Sequence, residues 1–313
     1  GDDALLQLAR VRLESAGLGA ELYPEAPGEL AHELQFAPRG ACHAHLPRYL
    51  DLTRPEHREE ILEFAWASDG RLSGLTLHEH ASYAGRTAQV VEAMGALSRQ
   101  LEAMNGPRAF LEFSGGLSPA GFAEIFEAAR DVELVSACLD VGHVGIRACA
   151  EAFRAATGER LSGLRPDSPE LPARLGALQA AAGQALPEVL GLVARLGRLG
   201  KPLHFHHHDG HPLSRLSRFN VCDHLSFLQA VPIPFEHEGR RELGGIFGLE
   251  GLRAIVRAAF ATLPEEKLSF LLEIHPRPER LALGEHAAIF RHWTDRTNAE
   301  RMNGWLETMV ANA

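Results

Sequence analysis

Hydrophobic and polar positions along the chain change period repeatedly. Leu5, Leu8, Ala9, Leu13 and Ala16 follow helical spacing, and Gly17 or Gly19 ends the segment. A short strand-like run follows, Ala20–Pro24. The same alternation then continues. Strand-like runs are predicted at Gly40–Pro47, Ser73–Ser82, Arg108–Ser114, Leu134–Val141, Pro202–His208 and Leu268–His275. Between them, helical spacing is predicted at Glu29–Leu34, Pro55–Trp66, Thr87–Met104, Pro119–Arg130 and Leu249–Thr262. The stretch 146–199 reads as two or more helices. The stretch 210–245 reads as a long loop, and the tail from about Glu279 to Val310 reads as helical.

Strands that alternate with helices build βαβ units and a parallel sheet. A (β/α)8 TIM barrel needs eight strands, and seven are legible. The chain opens inside what reads as the first helix, so the expected missing strand is the first. No linker-like composition divides the chain. The expectation is one barrel domain over 1–313, with insertions at about 146–199 and 210–245 placed at the C-terminal mouth.

Side chains alternate faces along a strand. His43 and His45 share one face of their run, and His78 and His80 share one of theirs. Glu112 faces away from Leu111 and Phe113, and Asp140 away from Leu139. His204, His206 and His208 oppose Leu203 and Phe205. Glu273 and His275 oppose Leu272 and Ile274. Six strands therefore carry an imidazole or carboxylate on one parity near the C-terminal end, where barrel enzymes keep their active sites. Such groups crowd into a buried mouth only if something neutralises them. A divalent metal ion does so. A single inward histidine reads equally well as a hydrogen-bonded core residue, and a single strand-end Glu as an ion-pair partner. The joint pattern carries the inference.

Composition adds limits. At 45% apolar and 23% charged residues the chain is ordinary globular material. The net charge is −10, and Lys201 and Lys267 are the only lysines, so a basic nucleic-acid footprint is not expected. Four cysteines lie far apart without a Cys-x-x-Cys pair, which fits a reducing, cytoplasmic setting. No apolar run is long enough for a membrane span. Ser114-Gly115-Gly116 and Gly244-Gly245 read as turns, since neither completes a nucleotide-binding motif.

Four segments carry a family resemblance. These are Leu111-Glu112-Phe113-Ser114-Gly115-Gly116, Cys138-Leu139-Asp140-Val141-Gly142-His143, the run from Leu203 to Asp209, and Leu271-Leu272-Glu273-Ile274. Over residues 4–277 or so, the chain resembles the xylose isomerase-like TIM barrel superfamily. That group holds sugar isomerases and epimerases and also endonuclease IV. The resemblance implies that Glu112, Asp140, His206 and Glu273 hold one divalent ion, whether Mn, Mg, Co or Zn. In the endonuclease IV-like branch, further ligands imply a multinuclear zinc site. Here they would be His45, His78 or His80, His143 and the pair Asp223 and His224.

The leading expectation is a metal-dependent isomerase or epimerase of a small sugar, polyol or keto-acid. Glu112 and Glu273 would exchange the proton as base and acid. His143 with Arg215 or Arg218 would bind substrate hydroxyls or a phosphate. The alternative is a phosphodiesterase of the endonuclease IV type. The expected partner is a small molecule, with nucleic acid disfavoured and a homo-oligomer compatible.

Overall fold

In the computed structural model, residues 3–161, 164, 169–210, 212, 235–237, 240–243, 245–273, 306–307 and 310 are described. Seven strands form one sheet: β1 (Ala20–Leu22), β2 (Cys42–His45), β3 (Gly74–His78), β4 (Arg108–Glu112), β5 (Val135–Asp140), β6 (Leu203–His207) and β9 (Leu268–Leu272). They pair in that order, every pair parallel, and nearly close into a barrel. A separate antiparallel pair, β7 (Phe235–His237) and β8 (Arg240–Leu243), lies within 210–245, which the sequence suggested was loop.

Helices fill the crossovers: α1 (Asp3–Ser15), α2 (Pro27–Glu33), α3 (Pro55–Ala67), α4 (Thr87–Ala103), α5 (Pro119–Ala128), α6 (Val141–Thr157), α7 (Leu171–Ala182), α8 (Ala185–Gly197) and α9 (Gly248–Thr262). Their starts are written in the sequence. Ser118 Oγ accepts from Gly121 N at 3.1 Å, and Pro119 opens α5 where an N–H would be unsatisfied anyway. In α4, Val90, Ala93, Met94, Leu97 and Leu101 bury one face at helical spacing.

The apolar parity of the strands meets these helices. Ala44, Leu75, Leu77, Leu111, Ala137, Leu139, Leu203 and Phe205 pack in one core with Phe64, Leu97, Phe122, Phe126, Val193 and Ile255. The opposite parity lines the barrel interior. Gly74 makes room there, because a Cβ on it would come within 2.7 Å of His43 Nδ1 and 2.8 Å of the Phe110 ring. Phe110, His43 and His204 then stack as a plug, with the His43 and His204 rings 4.2 Å apart.

The stretch 146–199 divides into two parts. α8 packs against α5 and α9, the place of an ordinary crossover helix in the outer ring. α6 also touches β5 and β6, and with α7 it builds a second apolar cluster from Cys149, Phe153, Leu171 and Leu178. None of the helices among the described residues is long and apolar enough to cross a membrane.

Candidate metal centre

The inward parity delivers its polar groups to one place. Parallel register sets His78 beside Glu112 and Asp140 beside His206. One ligand atom each from Glu112, Asp140, His206 and Glu273 lies within 4.8 Å of the others. His206 Nδ1 is 3.4 Å from Glu112 Oε1 and 3.0 Å from Glu273 Oε2. A second group adjoins the first. His45 Nε2 and His78 Nε2 lie 3.2 and 3.3 Å from the same oxygen, Glu112 Oε2. Glu112 thus belongs to both groups, with one oxygen turned to each.

His143 sits at the margin. Its Nδ1 is 2.7 Å from Asp140 Oδ2. Asp140 also caps α6, its Oδ1 accepting from His143 N at 2.7 Å, and it takes His208 Nε2 at 2.8 Å. Gly142 leaves space for that ring, since a Cβ there would come within 2.0 Å of His208 Cε1. His80 goes elsewhere. It follows the end of β3, and its Nε2 is 3.1 Å from Leu50 O, beside Tyr83. Of the two candidate histidines on that run, His78 is the one at the mouth. Arg215, Arg218, Asp223, His224 and His275 lie outside the described residues.

Two participants were missed from sequence. Glu21, on the three-residue β1, places Oε1 at 3.5 Å from His45 Nδ1 and 3.3 Å from His206 Nε2. Tyr23 donates its hydroxyl to Glu273 Oε1 at 3.2 Å, spanning from the end of β1 to the end of β9. The alternation applied to the other strands finds both: Ala20 and Leu22 pack on the helical core, so Glu21 and Tyr23 point inward.

The electrostatics are extreme for a protein interior. Glu21, Glu112, Asp140 and Glu273 all have side chains no more than 6% exposed. Burial pushes the Glu112 carboxyl up, but His78, His45 and His206 more than reverse this and hold it well below the usual range. Burial likewise raises Glu21, and His206 and His204 drive it down again. His206 is held above its ordinary value, since Cys138, Glu21 and Glu273 outweigh the burial that lowers it. Burial dominates at His78 and takes it down to about 3.

The donor chemistry fits a metal. Glu112 Oε2, Glu21 Oε1 and both ring nitrogens of His45 and of His206 are buried and make no hydrogen bond of acceptable angle. Buried polar atoms are normally hydrogen-bonded. Of these atoms, Glu112 Oε2, His45 Nε2 and His206 Nδ1 lie together at the mouth, as ligands do. Two imidazoles and a carboxylate, as in His45, His78 and Glu112, are a donor set of catalytic zinc. One imidazole with three carboxylates, as in the other group, suits a harder ion as well.

Two further carboxylates nearby have a different role. Glu79 Oε1 accepts from the backbone N–H of Ser114, Gly116 and Leu117, at 2.7–3.2 Å. Those amides are therefore committed to Glu79, and the glycine-rich turn after β4 is held by the protein's own carboxylate. Asp209 accepts from Gly210 N, Phe247 N and Gly248 N, at 2.8–3.0 Å.

Comparison of the chain with protein-family models, curated proteins and solved structures found no match.

Proposed function

We propose that this protein is a metal-dependent hydrolase of phosphoester bonds on a (β/α)8 barrel of the xylose isomerase-like kind. The observation that supports this reading is Glu112, whose two oxygens face two adjoining sets of ligands. Glu112 would then be a ligand in both sets. A pair of divalent ions supplies activated water and positive charge to an in-line displacement at phosphorus. His45 and His78 would complete one ion's set, and Asp140, His206 and Glu273 the other's. The Tyr23 hydroxyl orients Glu273. His143 pairs with Asp140 through Nδ1 at 2.7 Å and would bind a substrate oxygen. The acidic total charge points to a small phosphoester rather than a polyanionic nucleic acid. A cytoplasmic setting belongs to the same reading, on the buried thiols of Cys42, Cys138 and Cys149.

An isomerase or epimerase remains the second reading, favoured by one observation. Glu112 and Glu273 flank His206 Nδ1 at 3.4 and 3.0 Å, where a pair of carboxylates could pass a proton across a bound substrate. The test is to strip the protein, reload it with zinc or manganese, and count ions per chain. Hydrolysis of bis(p-nitrophenyl) phosphate and solvent-deuterium exchange into keto-sugars are then assayed on the same sample. Two ions with diester cleavage support the hydrolase. One ion with deuterium exchange overturns it in favour of the isomerase.

A further inference from the structure

Beneath the two ligand groups, one carboxylate touches three imidazoles. His45 and His206 each turn one nitrogen toward the mouth. His45 Nε2 faces Glu112, and His206 Nδ1 faces Glu112 and Glu273. Their other nitrogens, His45 Nδ1 and His206 Nε2, both face Glu21 Oε1 at 3.5 and 3.3 Å. Glu21's remaining oxygen, Oε2, is taken by His204 Nε2 at 2.9 Å. His204 is fixed in turn through Nδ1, which is 2.8 Å from Ser269 Oγ on β9. His43 stacks on the His204 ring from below. A chain of contacts thus runs from Ser269 through His204 to Glu21 and on to His45 and His206. The Glu21 side chain is 1% exposed, so no solvent shares this work.

We infer that Glu21 is a positioning residue that fixes two metal-ligand histidines from behind, setting which ring nitrogen each offers to the mouth. The inference rests on the two-metal reading above. It assigns one carboxylate to one histidine of each ion's set, which couples the two sites through the barrel floor. An imidazole that gives one nitrogen to a metal carries its proton on the other, and that N–H needs an acceptor. Glu21 Oε1 is the acceptor available to both rings. The competing role is direct ligation, since Glu21, His45 and His206 could themselves surround an ion. Against it, Oε2 is committed to His204, and Oε1 lies on the ring edges opposite those facing Glu112.

The test compares wild type, Glu21→Gln and Glu21→Ala, each loaded with zinc for affinity and with cobalt(II) for its visible spectrum. Wild type should take two ions, and a wild type that binds none overturns the metal reading and this inference with it. If two bind, the variants decide the role of Glu21. Positioning predicts that Glu21→Ala still binds two ions but each about 10- to 100-fold more weakly, with altered cobalt bands. Glu21→Gln keeps one acceptor oxygen, so its affinity should fall between the two. Loss of one whole equivalent in both variants would make Glu21 a ligand and overturn positioning. Unchanged affinity and unchanged bands would reduce it to packing. Should Glu21→Ala fail to fold, the affinity and bands of Glu21→Gln decide alone between these outcomes.

Discussion

Glu79 and Glu112 stand at the ends of neighbouring strands, both buried, with opposite surroundings. Glu79 Oε1 accepts three backbone N–H groups and closes the turn after β4. Glu112 Oε2 receives two imidazoles at 3.2 and 3.3 Å and no hydrogen bond. Burial raises the Glu79 carboxyl to about 7 against the pull of its amides, and removing it strands those amides. A carboxylate whose charge is held by imidazoles that also face it at ligand distance can exchange their protons for a metal ion. The difference separates structural acids from functional ones without reference to any relative. Asp209 falls on Glu79's side of the division, with three amide donors of its own.

The sharpest way to break this comparison is to delete each acid in turn. Glu112→Ala should release both ions and cut turnover by about 10³-fold or more, several kcal/mol of lost charge stabilisation. Glu79→Ala should do the reverse, keeping the ions per folded chain while losing ~3 kcal/mol in urea unfolding as buried amides go unsatisfied. Metal content and urea midpoints that move together in both variants would erase the distinction.

A smaller effect separates the two histidines of one run. His78→Ala should lose one ion of two, whereas His80→Ala, which removes a contact to Leu50 O, should keep both. Metal counts by mass spectrometry read this directly. Equal losses would mean that parity, and not strand end, decides access to the mouth.

The smallest effect is a matter of pH. Burial raises Asp209 to about 6, against the pull of the Phe247, Gly248 and Gly210 amides. A raised acid favours the folded state while protonated. Its contribution is complete below the unfolded value near 3.8 and is lost as pH rises through about 6. Asp209→Asn cannot titrate, so the stability gap between wild type and this variant should narrow from pH 4 to pH 7, by at most ~3 kcal/mol. A gap that widens over that range would show that the amide donors govern the group after all.

Much of this was legible in the sequence, for reasons that differ by element. The strand ends announced themselves because barrel strands hold strict alternation, and Glu112, Asp140, His206 and Glu273 break an otherwise apolar run on the same parity. Glu21 went unread although the same alternation turns it inward, because β1 offers three residues, too few for the pattern to stand out from a polar linker. Its meaning came from three histidines distant in the chain. His78 and His80 share a parity, and the choice depended on where β3 stops, which local pattern does not fix. The 146–199 helices were visible, but their division was not. α8 belongs to the outer ring only because α5 and α9 receive it. β7 and β8 were hidden because strands of three and four residues leave little periodic trace.

The Asp209 clamp has a consequence for how such a protein changes over time. Its carboxylate ties Gly210 to Phe247 and Gly248, and Ile246 N adds a bond to Gly210 O at 2.8 Å. The chain leaves the barrel and re-enters it at a single pinned neck. Whatever runs between residues 210 and 246 can lengthen at about 0.6 kcal/mol per doubling, as for any closed loop. β6 and α9 would stay in place, and so would the histidines that β6 carries. The neck would let the length of that segment vary without moving the elements on either side of it.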